Sequence, residues 1–151
     1  MSNRFRLGIV LRLREMTEET ARIKLGHAVE SHQRAVALVE AAQSRREDEL
    51  RWLADLQGSR TEAGRLQTAV VAVATAQRGI VAAQERLTRA SAALFEARQA
   101  LAEATKQREV VERLRDRFLA AERRQADHLD TLSMAEIAST QHAVRAARDR
   151  G

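Results

Sequence analysis

Residues 66–104 read LQTAVVAVATAQRGIVAAQERLTRASAALFEARQALAEA. Leu66, Val73, Ile80, Leu87, Leu94 and Leu101 recur at intervals of seven, and three positions after them stand Ala69, Ala76, Ala83, Ala90, Ala97 and Ala104. A seven-residue repeat keeps both columns on one side of a helix, facing a single partner helix. The alanine column adds a constraint on that partner. Small side chains let two helix axes approach more closely than two leucine columns would, a packing suited to antiparallel pairs.

Upstream of this stretch lies Gly58-Ser59-Arg60-Thr61-Glu62-Ala63-Gly64, where two glycines bracket polar residues. A glycine past a helix end can turn left-handed without a Cβ clash, and Ser59 followed by Glu62 has capping-box spacing, so a turn is expected here. Before it, Leu53, Leu50, Val39, Val36, His32 and Val29 form a matching run with Gln43 and Arg46 as polar interruptions. Around residues 16–25 the register is expected to slip to a second seam of Ile9, Leu13, Met16, Thr20 and Ile23. Folding at about residue 61 sets Leu66 near Leu56, Val73 near Leu50 and Val111 near Leu11.

The expected fold is all-α: one long antiparallel two-helix coiled coil, an α-hairpin, with an overhanging C-terminal helix. Helix 1 is placed at about 7–57, the turn at about 58–64 and helix 2 at about 65–148, in a single coiled-coil domain over 1–151. Helix 1 would be ~76 Å long. Past Ala104, Arg108 interrupts the aliphatic column and Val111, Leu114, Phe118 and Ala121 are expected to take over. From about Phe118 the second helix outruns the first, and Leu119, Leu129, Leu132 and Ile137 then need a partner, since a lone helix cannot bury them.

Composition agrees. The 151 residues include no proline, cysteine or tyrosine, and the 29 alanines and the charged 31% are mostly helix formers. Disulfide scaffolds, β-sandwiches and α/β enzyme domains are argued against. The net charge of +5 arises from 26 basic and 21 acidic residues in alternation. The apolar run 7–11 is too short for a signal peptide, and the least polar stretch, 69–76, falls short of the roughly 20 residues of a bilayer span. A soluble, cytoplasmic protein is expected.

Catalytic signatures are missing: there is no Gly-rich phosphate loop and no Gly-x-Ser-x-Gly. His27, His32, His128 and His142 lack the i, i+4 spacing of a helical metal site. Glu18/Glu19 and Glu47/Asp48/Glu49 read as mixed-charge helix surface. No enzyme activity, cofactor, metal or small-molecule ligand is expected. Arginine clusters at 4–14, 113–117 and 145–150 could meet phosphates, but Glu109, Glu112 and Asp116 interleave the second, and no aromatics stand ready to stack bases. The first cluster alternates with Phe5, Leu7, Val10, Leu11 and Leu13, a basic amphipathic helix suited to an acidic partner groove or a membrane surface.

The start, Arg4-Phe5-Arg6-Leu7-Gly8-Ile9-Val10-Leu11-Arg12-Leu13-Arg14-Glu15, the mid-chain turn, Leu114-Arg115-Asp116-Arg117 and the segment Leu132-Ser133-Met134-Ala135-Glu136-Ile137-Ala138 resemble the FliJ-type proteins of the flagellar type III export apparatus. The resemblance implies a coiled-coil stalk in the pore of a hexameric export ATPase ring, in contact with the cytoplasmic domain of the export gate, with a chaperone-escort role. Its place would be the cytoplasm, peripheral to the cell membrane through those partners. By the resemblance, ATPase contacts fall on Phe5, Leu7, Leu11, Arg14, Phe118, Leu129, Leu132 and Ile137. Gate contacts fall on Leu38, Ala42, Ala72, Ala76, Gly79 and Ala83, smaller side chains than the family's aromatic ones. An injectisome-type stalk, a basic nucleic-acid-binding coiled coil and a scaffold joined through the overhang are the alternatives.

Overall fold

The computed structural model describes the backbone from residue 3 and the side chains from residue 6. Two α-helices, α1 (Asn3–Gln57) and α2 (Ala63–Asp149), pack against each other, with no strand among the described residues. Helices of 55 and 87 residues can run unbroken because no proline removes an N–H or clashes with the preceding turn.

The turn differs in detail from its sequence signature. Gly58 N–H donates to the Ala54 carbonyl at 3.1 Å, and both the N–H and the hydroxyl of Ser59 donate to the Leu56 carbonyl at 3.3 Å. Ser59 therefore closes α1 and does not open α2. The expected capping box does not form. Helix α2 starts beyond Glu62, whose carbonyl accepts from Arg65 N–H at 3.0 Å and Leu66 N–H at 3.3 Å, so Glu62 occupies the cap position. Among the described residues no glycine has positive φ, so Gly58 ends α1 without a left-handed residue.

Contacts group the chain into two units, one of Thr17–Thr105 and one of Met1–Met16 with Lys106–Gly151. In the first, the alanine column is buried where predicted: Ala69, Ala76, Ala83 and Ala104, joined by Ile80 and Leu94. From α1, Glu18, Ala21 and Ala35 are buried, and Leu25, Ala28, His32, Val39, Ala42, Leu53 and Leu56 half-buried. These α1 residues fall on one unbroken heptad, so the expected register slip does not occur. Thr20 and Ile23 face outward. At the turn end Glu49 takes the column place expected for Leu50, which is exposed. Alanines 21, 28, 35 and 42 give α1 a small-residue column of its own, so the close approach is built from both sides. The Thr105 hydroxyl donates to Glu18 Oε1 at 3.1 Å, which sets residues 18 and 105 level.

In the second unit, Leu11 is buried and Leu7 and Arg14 half-buried on α1, with Gln107, Arg108, Val111, Arg115, Phe118 and Leu119 half-buried on α2. Arg14 Nη1 donates to Gln107 Oε1 at 2.6 Å. Arg108 does not end the column. Arg108 and Arg115 continue the places of Leu94 and Leu101, while Val111 and Phe118 continue the alanine column. Leu114 and Ala121 are exposed, contrary to expectation, as are Ile9, Leu13 and Met16. From residue 120 to residue 145 every α2 side chain is exposed, which is the overhang.

Candidate docking surfaces

Label the seam positions a and d, with a at Leu11, Glu18, Leu25 on α1 and Leu66, Val73, Ile80 on α2. In the Thr17–Thr105 unit a groove of about 410 Å³ opens beside the seam. Its lining includes Leu38, Ala41 and Arg45 from α1 and Thr75, Gly79, Ala82 and Arg86 from α2. These are c and g positions of both helices, as expected when g faces g across an antiparallel pair. Gly79 and the alanines of the lining leave the groove open: a Cβ added at Gly79 would meet nothing within 4 Å. Its floor is apolar, and Arg45 and Arg86 supply the charge. Of the residues placed at the gate contact, Leu38, Ala42, Ala76, Gly79 and Ala83 line it. Ala72 does not. Trp52, the one tryptophan, stands one heptad past Arg45 and is 38% exposed.

The ATPase set divides. Leu7, Leu11, Arg14 and Phe118 are seam residues, buried or half-buried, and hold the two helices together. Leu129, Leu132 and Ile137 stand on the overhang, each more than half exposed. Phe5 lies outside the residues whose side chains are described. Sequence reasoning missed Val110 and Leu114 as surface residues; they are exposed together with Ile9, Val10, Leu13 and Met16. For Ile9, Leu13 and Met16 the signal was present in the 9/13/16/20/23 lattice, which is an outer stripe and not a seam.

Two seam positions carry unusual electrostatics. Glu18, expected on the surface, is buried and satisfied by Arg22 at 3.3 Å and by Thr105. An arginine and a hydroxyl offset the desolvation of its carboxylate. Arg115 has Nε buried with no hydrogen-bond partner, while its Nη2 lies 3.4 Å from Asp116. Arg108 pairs with Glu112 at 2.6 Å. Among the described residues no three His, Asp or Glu converge as a metal site would require.

One 18-residue window of α2 reaches a mean hydropathy of 1.3, long and apolar enough to cross a membrane by length and composition. This goes beyond the short run 69–76 read from sequence. The least polar part, 66–83, is nonetheless level with α1 residues 39–56, which include Arg45, Arg46, Glu47, Asp48, Glu49 and Arg51. Carrying those six charges into a bilayer core would cost about 15 kcal/mol, at roughly 2.5 kcal/mol each.

Comparison with known proteins gives one assignment. Residues 2–147 match the family described as "Flagellar FliJ protein". No curated protein and no solved structure matches the chain.

Proposed function

The chain belongs to the FliJ family, which makes it a non-catalytic component of the flagellar export apparatus, and from that premise we propose that it is a stalk for the hexameric export ATPase. In this reading it enters and promotes the ring, contacts the export gate's cytoplasmic domain, and escorts export chaperones from the cytoplasmic side of the membrane. The observation that carries it is the unequal hairpin. Helix α2 outruns α1 and leaves Leu129, Leu132 and Ile137 exposed, and such a segment is stabilised only by a partner.

The test is ATP hydrolysis and ring formation by the cognate ATPase with the purified protein added. Stimulation is expected, and L129D/L132D/I137D should remove most of it. No stimulation by the unaltered chain counts against the stalk role. The groove supports the gate contact as a second reading. Gly79→Leu would fill it from an open position, so a gate-domain pull-down should weaken while ATPase stimulation persists. Retained gate binding would move that contact off the groove.

A further inference from the structure

The groove of the Thr17–Thr105 unit is built from a repeated pentapeptide. Ala41-Ala42-Gln43-Ser44-Arg45 on α1 and Ala82-Ala83-Gln84-Glu85-Arg86 on α2 share the pattern Ala-Ala-Gln-x-Arg, each running from a c position to a g. Because the helices are antiparallel, the two copies meet as a near two-fold pair. Their alanines line the groove, and Arg45 and Arg86 stand on opposite walls. With Thr105 bonded to Glu18, Arg45 falls level with Arg78 and Arg86 with Ala37, which sets the two arginines ~12 Å apart along the axis. The symmetry fails at one place: Leu38 on α1 corresponds to Gly79 on α2, where the wall is open.

Charge on this face has one sign. The c and g positions of residues 31–45 on α1 and 75–93 on α2 hold Arg34, Arg45, Arg86 and Arg89 and no acid. Neither Arg45 nor Arg86 has a hydrogen-bond or ion-pair partner among the described residues. Asp48, three residues past Arg45, pairs with Arg51 at 3.3 Å, and Glu85, beside Arg86 in sequence, stands at f on the outside of α2. The apolar floor is thus flanked by one unpaired cation on each wall.

We propose that the groove takes an amphipathic helix of a protein partner, its apolar seam on the alanine floor and carboxylates on both flanks, so that one flank meets Arg45 and the other Arg86. The hairpin becomes a three-helix coiled coil over this stretch. Since the two arginines are related by the near two-fold, charge alone accepts the helix in either direction; the open wall at Gly79, which admits a large apolar side chain where Leu38 leaves less room, selects one. A second hairpin laid groove to groove would bring four arginines together. Nucleic-acid phosphates would satisfy the arginines and leave the alanine floor uncovered. The proposal rests on the reading of the groove as a docking surface and adds the chemistry of what docks there.

The test is fluorescence anisotropy of a labelled three-heptad helical peptide with Leu and Ala at its seam and Glu at every e and g position, titrated with the full chain. A second peptide has Lys in place of each Glu. The Glu peptide should bind at least about tenfold more tightly than the Lys peptide, and less tightly as salt rises from about 50 to about 500 mM. R45E and R86E should each weaken it several-fold, and R45E/R86E should prefer the Lys peptide. R98E makes the same change of net charge at an e position, on the other margin of the seam, and should alter binding less than about twofold. These three arginines are exposed, and circular dichroism checks that the helices persist. Glu and Lys peptides bound alike, a loss in R98E equal to that in R45E and R86E, or no binding at roughly 100 µM protein overturns the proposal. So does a dimer in sedimentation velocity that Gly79→Leu abolishes, which would assign the groove to a second copy. A gate domain that binds the groove while the Glu peptide does not would overturn this inference and leave the gate contact standing; Glu-peptide binding with which the gate domain does not compete would support it and move only the gate elsewhere.

Discussion

Arg115 stands at a position led up to by aliphatic side chains from Leu66 to Leu101, and its buried Nε goes without a hydrogen bond. An unsatisfied buried donor costs roughly 1–3 kcal/mol. Arg115→Leu should therefore stabilise the protein by about 1 kcal/mol in urea unfolding; a loss of stability would show that the guanidinium has a partner that matters. At Glu18 the carboxylate serves Thr105 and Arg22. Glu18→Ala should cost about 1–2 kcal/mol by stranding the hydroxyl, and Glu18→Leu should recover most of it by filling the same space with apolar atoms. Ala69 is the opposite case, a small seam residue with no exposed surface. Ala69→Leu should cost about 1–3 kcal/mol by overpacking, while Val70→Ala, exposed one position away, should stay within about 0.5 kcal/mol.

For the helices, the overhang makes a sharp expectation. Side chains 120–145 are exposed throughout and bury nothing that the rest of the fold relies on. A chain ending at Leu119 should unfold at nearly the denaturant midpoint of the full chain, and amide exchange in the full chain should be fastest past residue 120 and slowest around Ala69–Ala104. The α2 half of the hairpin was legible in sequence because residues 66–104 place aliphatics and alanines on a single lattice. The start of α1 was not, because two lattices coexist there. The outer one, Ile9, Leu13, Met16, Thr20 and Ile23, is the more hydrophobic; the buried one runs through Arg14 and Glu18, which resemble breaks until Gln107 and Thr105 are seen to satisfy them. The same physics misplaced the change of seam near Arg108. The turn was legible as a location but not in its bonds, since Ser59 was free to bond backward to Leu56 or forward into α2. Of the site residues, those in the groove depend on small side chains at known heptad places, whereas those in the ATPase set mixed seam with surface, a distinction only burial supplies.

Taken as a whole, the molecule separates the residues that hold it together from those left for others. The truncated chain should keep its stability and lose ATPase stimulation, a pairing that a merely structural role for the overhang would not give. Trp52 adds an experimental consequence. It is the sole indole, partly open to water, and lies in the Thr17–Thr105 unit one heptad from the groove. Its emission is therefore an intrinsic optical reporter for that unit: an occupant of the groove should shift the spectrum, whereas binding confined to residues 125–138 should leave it silent, so titrations with two different partners could be told apart without attaching a dye.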